Sequence, residues 1–297
     1  MVAPVRKKIA VVTTSFPEHA GDPSGHFVAA EVHTLAADHD VRVFVPRGRP
    51  FGWPGLLPQL SGSPLTTGPR LAAKLFALRR ALTRAAPFDH AIAHFLPCAA
   101  LCRGIAPTLE IVIHGTDLRV VAALPAPLAQ RALTRLLAPA TRIRTVSTEL
   151  ADLLLAHLPP AERHGVEARL AVAPSPITMP DVGAAAASLR ARYAGKRLAV
   201  CVGRLIPAKG VDRVIEHVAQ NEPHTTLVVV GDGPERERLE AHARRRSLAT
   251  TFVGKLPRCE ALAWIGAADV VFHGSRSEGA CTVRREANEL GTPFLAL

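Results

Sequence analysis

Apolar residues in this chain fall in short runs separated by longer amphipathic stretches. Residues 9–14, 41–45, 90–95, 111–114, 143–147 and 170–173 are short runs with apolar residues at their centres and read as strands, the most aliphatic of them covered on both faces. Between them, residues 26–37, 71–85, 128–137 and 148–157 carry apolar positions at helical spacing. Residues 46–69 are rich in Gly and Pro and predict a loop. Strands alternating regularly with helices predict a parallel sheet with helices packed against it.

The texture changes at residues 174–180, where Pro174, Pro176 and Pro180 disfavour helix and predict a linker. Residues 181–193 read as a short bridging helix. The alternation then restarts. Strands are predicted at 198–202, 226–230, 251–253, 270–273 and 294–297, and helices at 210–219, 235–246 and 283–290. The expected fold class is α/β, with two Rossmann-like halves, residues 1–178 and 179–297, facing across a cleft. Ligands of such sheets bind beyond the carboxyl ends of the strands, and the expected site is the gap between the halves.

Composition narrows this picture. The 297 residues are 48% hydrophobic but only 4% aromatic, so the cores are aliphatic. The five cysteines are scattered, and only Cys98 and Cys102 are close in sequence. No second pair or neighbouring His completes a zinc set, which predicts reduced thiols in a cytoplasmic protein. The apolar run after the basic N-terminus is too short and too polar for a secretion signal and reads as a first strand. A net charge of +11 favours phosphate-bearing ligands. The arginines are spread over many helices without interleaved aromatics, so nucleic acid is not an expected partner. Lys74, Arg79, Arg80 and Arg84 lie among Leu, Ala and Phe76 on one predicted helix. That helix fits either peripheral contact with anionic lipid at the inner membrane face or a plain basic outer surface.

Five segments carry chemistry. In SRSEGACTVRREANELGTPFLAL, residues 275–297, Glu278 sits in a loop after a strand and Glu286 in the next helix. The amides of residues 280–283 open that helix, where N–H groups and dipole favour a diphosphate. In VGRLIPAKGVDRVIEHV, residues 202–218, Gly203 and Arg204 follow a strand, and Lys209 and Gly210 precede a helix. Two cations there can neutralise a pyrophosphate. VVVGDGPERERLEAHA, residues 228–243, reads chiefly as a tight glycine turn through Gly231 and Gly233. Gly25 lies in the loop after the first strand and lets backbone approach a phosphate. His114, in IVIHGTDL, ends a strand and can donate to a sugar or phosphate oxygen. Each segment alone also fits an ordinary loop or surface pair.

Together, FPEHAGDPSGHF, HGTD, VGRLIPAKG, GDGPERERLE, FVGKL and EGACTVRREANELGTPFLA resemble, in order and spacing, the GT-B glycosyltransferases of family 4 over nearly the whole chain. The resemblance implies transfer of a sugar, with retention, from a nucleotide-sugar donor to a carbohydrate or lipid-linked acceptor in glycan or envelope polysaccharide synthesis. It implies no metal and no separate cofactor. Arg204 and Lys209 would hold the diphosphate, Glu278 and His114 the sugar, and Glu286 the ribose. Amides at Thr282 and Val283 would meet phosphate. Backbone at Lys255 and Leu256 would cradle the base, with Gly203 and Gly25 allowing close approach. The chain departs from the pattern at the linker, at Ala280 and Cys281, and in stopping at Leu297, which predicts an incomplete second half. The alternative reading is a catalytically silent nucleotide-binding or scaffold protein of the same fold.

Overall fold

The structure, a computed structural model, describes residues 5–19, 21–22, 24–48, 51, 64–276 and 279–297. The chain divides into two compact units. One holds the residues up to 17 and 24–176. The other holds 18–22 and 177–297.

The first unit is built on β1 (Lys8–Val12), β2 (Asp40–Phe44), β3 (His90–His94), β4 (Leu109–Ile113), β5 (Arg142–Thr145) and β6 (Leu170–Val172). They form one parallel sheet in the order β2-β1-β3-β4-β5-β6. Its helices are α1 (His26–Asp38), α2 (Pro64–Ala85), α3 (Leu96–Cys102), α4 (Thr116–Ala122), α5 (Ala126–Leu137), α6 (Thr148–Ala156) and α7 (Pro160–Glu167). β4 is buried at every position, as its unbroken Leu-Glu-Ile-Val-Ile run requires. Its one charge, Glu110, is balanced by Arg144 on β5, whose Nε donates to Glu110 Oε1 at 2.7 Å and whose Nη2 donates to Glu31 of α1. Burial would lower the Arg144 guanidinium, but the two carboxylates outweigh it and hold the proton more firmly.

The second unit carries β7 (Leu198–Val202), β8 (Thr226–Val230), β9 (Thr250–Gly254), β10 (Val270–His273) and β11 (Phe294–Ala296). All run parallel in the order β11-β10-β7-β8-β9. Helices α8 (Gly183–Arg192), α9 (Val211–Asn221), α10 (Arg236–Arg245), α11 (Arg258–Ala267) and α12 (Thr282–Glu289) cover it. Strand side chains alternate between two cores. Ala199 and Cys201 join Val214, Ile215 and Val218 of α9, while Leu198 and Val200 join Trp264 of α11.

Some elements differ from the sequence expectation. α2 starts at Pro64 rather than residue 71 and contains Pro69. The remainder of the predicted loop, at 49–50 and 52–63, lies outside the described residues. Helices α3, α4, α7 and α11 were not expected. α11 buries Leu262, Ala263, Trp264, Ile265 and Ala267, so it lacks the polar face that makes helical spacing visible.

Candidate functional site

The carboxyl ends of β7, β8 and β10 are stitched together by backbone that only glycine permits. Gly203 N donates to Val230 O at 2.9 Å, continuing the β7–β8 ladder by one residue. A Cβ on Gly231 would fall 1.8 Å from Gly203 O, and one on Gly233 would fall 2.5 Å from Leu205 O. Both have positive φ, 138° and 156°, which L side chains rarely adopt. The GDGP segment is thus a packing device that seats the turn after β7.

That turn carries the two cations. Arg204 is half-buried just past β7. Lys209 closes a 3-10 turn, Pro207–Lys209, and Gly210, at φ 58°, caps α9. The Lys209 stem passes over Gly203: a Cβ there would meet Lys209 Cγ at 3.9 Å. The turn is also bonded to the end of β10. Ser275 Oγ donates to Ala208 O at 3.0 Å, and Arg213 Nη1 donates to Gly274 O at 2.8 Å. A Cβ on Gly210 would fall 2.2 Å from Gly274 O, and one on Gly274 would fall 2.0 Å from Gly210 O. The Lys209 turn therefore lies directly against the strand end that leads to the residue 278 loop. Glu278 itself lies outside the described residues.

Beyond that loop, Cys281 caps α12 without a side-chain capping bond, and Thr282 and Val283 form its first turn. The first N–H groups of a helix have no acceptor within it, so this turn offers donors to an anion. Cys281 Sγ lies 3.7 Å from His273 Nε2, at the end of β10. Glu286, one turn further on, is buried and ion-paired with Arg258 at the start of α11. Arg258 Nη2 also donates to Thr178 O at 2.7 Å. Lys255 and half-buried Leu256 follow β9, and Lys255 Nζ reaches Asp22 Oδ1 at 3.5 Å.

Two expected site residues lie in the first unit. Gly25 caps α1 at φ 63°, and a Cβ there would fall 2.3 Å from Ser15 O, so this turn needs glycine for its own packing. His114 follows β4. Its Nε2 is 3.0 Å from His94 Nδ1, and its ring packs on Phe27 and Phe95 at 4.7 and 4.6 Å between centroids. Burial drives His94 down to about 3 and His114 well below the usual imidazole value, with Arg144 adding to both, so the pair is neutral at neutral pH. Asp117 Oδ1 accepts from the N–H groups of His114 and Gly115 at 3.2 and 2.8 Å, and Oδ2 from Leu96 N at 2.9 Å. That carboxylate fixes the HGTD turn. Among the described residues, no three His, Cys, Asp or Glu side chains gather to hold a metal ion.

Sequence reasoning missed Arg258, His94 and Asp117. HGTD contained Asp117 as the typical acceptor for a turn's N–H groups. His94 and Arg258 left no local signal, because their partners lie 20 and 28 residues away.

Two parallel, helix-covered sheets, with glycine turns at the carboxyl strand ends of the second, make this a GT-B fold. Residues 190–297 match the family model Glycosyl transferases group 1 and form a domain of that kind. The chain is 34% identical over 170 residues to a GDP-mannose-dependent alpha-(1-6)-phosphatidylinositol monomannoside mannosyltransferase of Mycolicibacterium smegmatis, covering 52% of this chain and 41% of that one. It is 36% identical over 99 residues to the glycogen synthase of Mycobacterium tuberculosis, covering 32% and 24% respectively. The chain thus spans less than half the length of these curated relatives. Among solved structures, sucrose-phosphate synthase from Thermosynechococcus elongatus superposes with a TM-score of 0.70 at 18% identity, covering 98% of this chain and 81% of that one. Anabaena Alr3699/HepE, solved with UDP and glucose, gives 0.66 at 19% identity, covering 98% and 80%.

Proposed function

We propose that the protein is a glycosyltransferase that moves a sugar, with retention, from a nucleoside diphosphate donor to an acceptor hydroxyl. The observation that carries this reading is the contact between the Lys209 turn and the end of β10, which brings a cation-bearing turn against the loop leading into α12. Arg204 and Lys209 neutralise the diphosphate, and the Thr282 and Val283 amides meet its oxygens. Preorganised charge of this kind stabilises a leaving diphosphate without reorganising at the moment of reaction. Glu286 takes the ribose diol, Leu256 lies by the base, and Glu278 contacts the transferred sugar. In the transfer, the anomeric carbon's bond to the diphosphate oxygen breaks and a bond to the acceptor oxygen forms on the same face. The acceptor proton leaves with the diphosphate.

The named relatives support a nucleotide-sugar donor: one is GDP-mannose-dependent, and a structural neighbour was solved with UDP and glucose. The acceptor we propose is a glycan or a lipid-linked sugar in envelope polysaccharide synthesis. Ala73, Phe76, Ala77, Arg80 and Arg84, at helical positions i, i+3, i+4, i+7 and i+11, are all exposed on one face of α2, and Phe76 is 70% exposed. Such a face suits peripheral contact with anionic lipid at the inner membrane surface. Among the described residues, no helix is long and apolar enough to cross a membrane.

The test is release of nucleoside diphosphate from UDP-glucose and GDP-mannose by the purified chain, compared with Lys209→Ala and Glu278→Ala. Turnover that both substitutions abolish supports the reading. No release by the unmodified chain, or equal release by all three, overturns it. Sedimentation with vesicles containing anionic lipid, repeated with Arg80 and Arg84 changed to Ser, tests the membrane face. Absence of binding by the unmodified chain ends that part.

A further inference from the structure

Arg258 occupies a position that helix energetics do not explain. It is the first residue of α11, where the helix dipole disfavours a cation. Its side chain is 16% exposed and that of its partner Glu286 is 7%, so both charges are largely out of water. A buried pair of this kind recovers little more than its desolvation cost, which makes it a poor stabilising device. What it does supply is geometry. Nη1 bonds Glu286 Oε1, Nη2 donates to Thr178 O at 2.7 Å, and Met179 Sδ lies 4.0 Å from Nη2. A planar guanidinium held at both ends fixes its own plane and hence the position of the carboxylate it grips. Thr178 belongs to the segment that enters the second unit, so three separate stretches of that unit meet at this one side chain.

We infer that Arg258 is the positioning residue that gives the nucleotide site its selectivity for ribose, acting through Glu286; this rests on the proposed nucleotide site. A carboxylate offers about four lone-pair directions, so a Glu286 already held by Arg258 still accepts from a vicinal diol. Glu286 stands about one helical turn, roughly 5.4 Å along the axis, beyond the Thr282 and Val283 amides. A carboxylate free to swing accepts from one hydroxyl or from solvent. One locked in place accepts from both hydroxyls at once, and loses that interaction when they are absent.

The experiment is isothermal titration of the full chain with UDP, GDP and ADP, each against its 2′,3′-dideoxy counterpart. The unmodified chain is expected to favour the ribonucleotide by about tenfold or more, the scale of hydrogen bonds to a charged group. Arg258→Met is expected to bring that ratio within about twofold by weakening the ribonucleotide alone, while Arg258→Lys restores part of it. In a Glu286→Gln background, Arg258→Met is expected to change the ratio no further. A wild-type ratio in Arg258→Met, or equal weakening of both ligands, overturns the inference and leaves the nucleotide site standing. No nucleotide binding, or no ribose preference, in the unmodified chain overturns the site reading itself and the inference with it. Should Arg258→Met not fold, Arg258→Lys and Arg258→Gln carry the test, and a wild-type ratio in both overturns the inference.

Discussion

Gly210 and Gly274 approach so closely that a Cβ on either would fall 2.2 or 2.0 Å from the other's carbonyl oxygen. This contact joins the turn bearing Lys209 to the end of β10. Alanine at either position must push the two backbones apart, and Gly210 adds strain from its φ of 58°. Gly210→Ala and Gly274→Ala are each expected to cost about 2 kcal/mol or more of stability. They are also expected to weaken nucleotide binding beyond the loss seen at a remote glycine such as Gly195, whose surroundings are open. Thermal melts and titration with UDP or GDP check both.

Arg204 and Lys209 carry the charge balance of the proposed transfer. Arg204→Ala and Lys209→Ala are each expected to lower kcat/KM by about 10²–10³ with little change in melting temperature. Arg204→Lys is expected to recover only part, because an ammonium cannot replace a bidentate guanidinium. Steady-state kinetics with the accepted donor decide this.

His94, held near 3, refuses a proton that the unfolded chain accepts at about the ordinary imidazole value of 6.5. The unfolded state therefore binds more protons between those values, and stability falls as pH drops through that window. Above about pH 7 the effect is absent. The expected slope from His94 is about 1.4 kcal/mol per pH unit, and His114, lowered in the same direction, adds to it. His94→Gln is expected to flatten the acid limb of a stability–pH curve measured by denaturant unfolding.

The five thiols are expected to separate by environment. Burial pushes Cys102 and Cys201 up to about 12 and Cys98 well above its usual value, whereas Cys259 is exposed and Cys281 half-buried. Iodoacetamide at pH 8, followed by peptide mass mapping, is expected to label Cys259 and Cys281 and spare the other three. Bound nucleotide is expected to protect Cys281, which caps α12, and leave Cys259 reactive.

The parts of the fold legible in sequence were those with strong local pattern. β7 and β8 match their predicted ranges because a Leu-Ala-Val-Cys-Val or Thr-Leu-Val-Val-Val run has no other stable use in a parallel sheet. α9 was visible because Val211, Val214, Ile215 and Val218 lie on one face. α11 was not, because it is buried on too many sides to show a period. The unbroken helix through Pro69 also escaped a reading in which proline marks a loop.

The sequence by itself determined the alternation of strands and helices, the restart after the Pro174–Pro180 stretch, and the glycines that only tight strand-to-helix turns demand. These are local, since each follows from backbone sterics or periodicity within a few residues. Tertiary structure alone decided the partners: His94 with His114, Arg144 between Glu31 and Glu110, and Arg258 with Glu286 and Thr178. Those pairings join residues from different strands and helices, and the energy of a buried charge or imidazole depends on which neighbours the completed fold sets beside it.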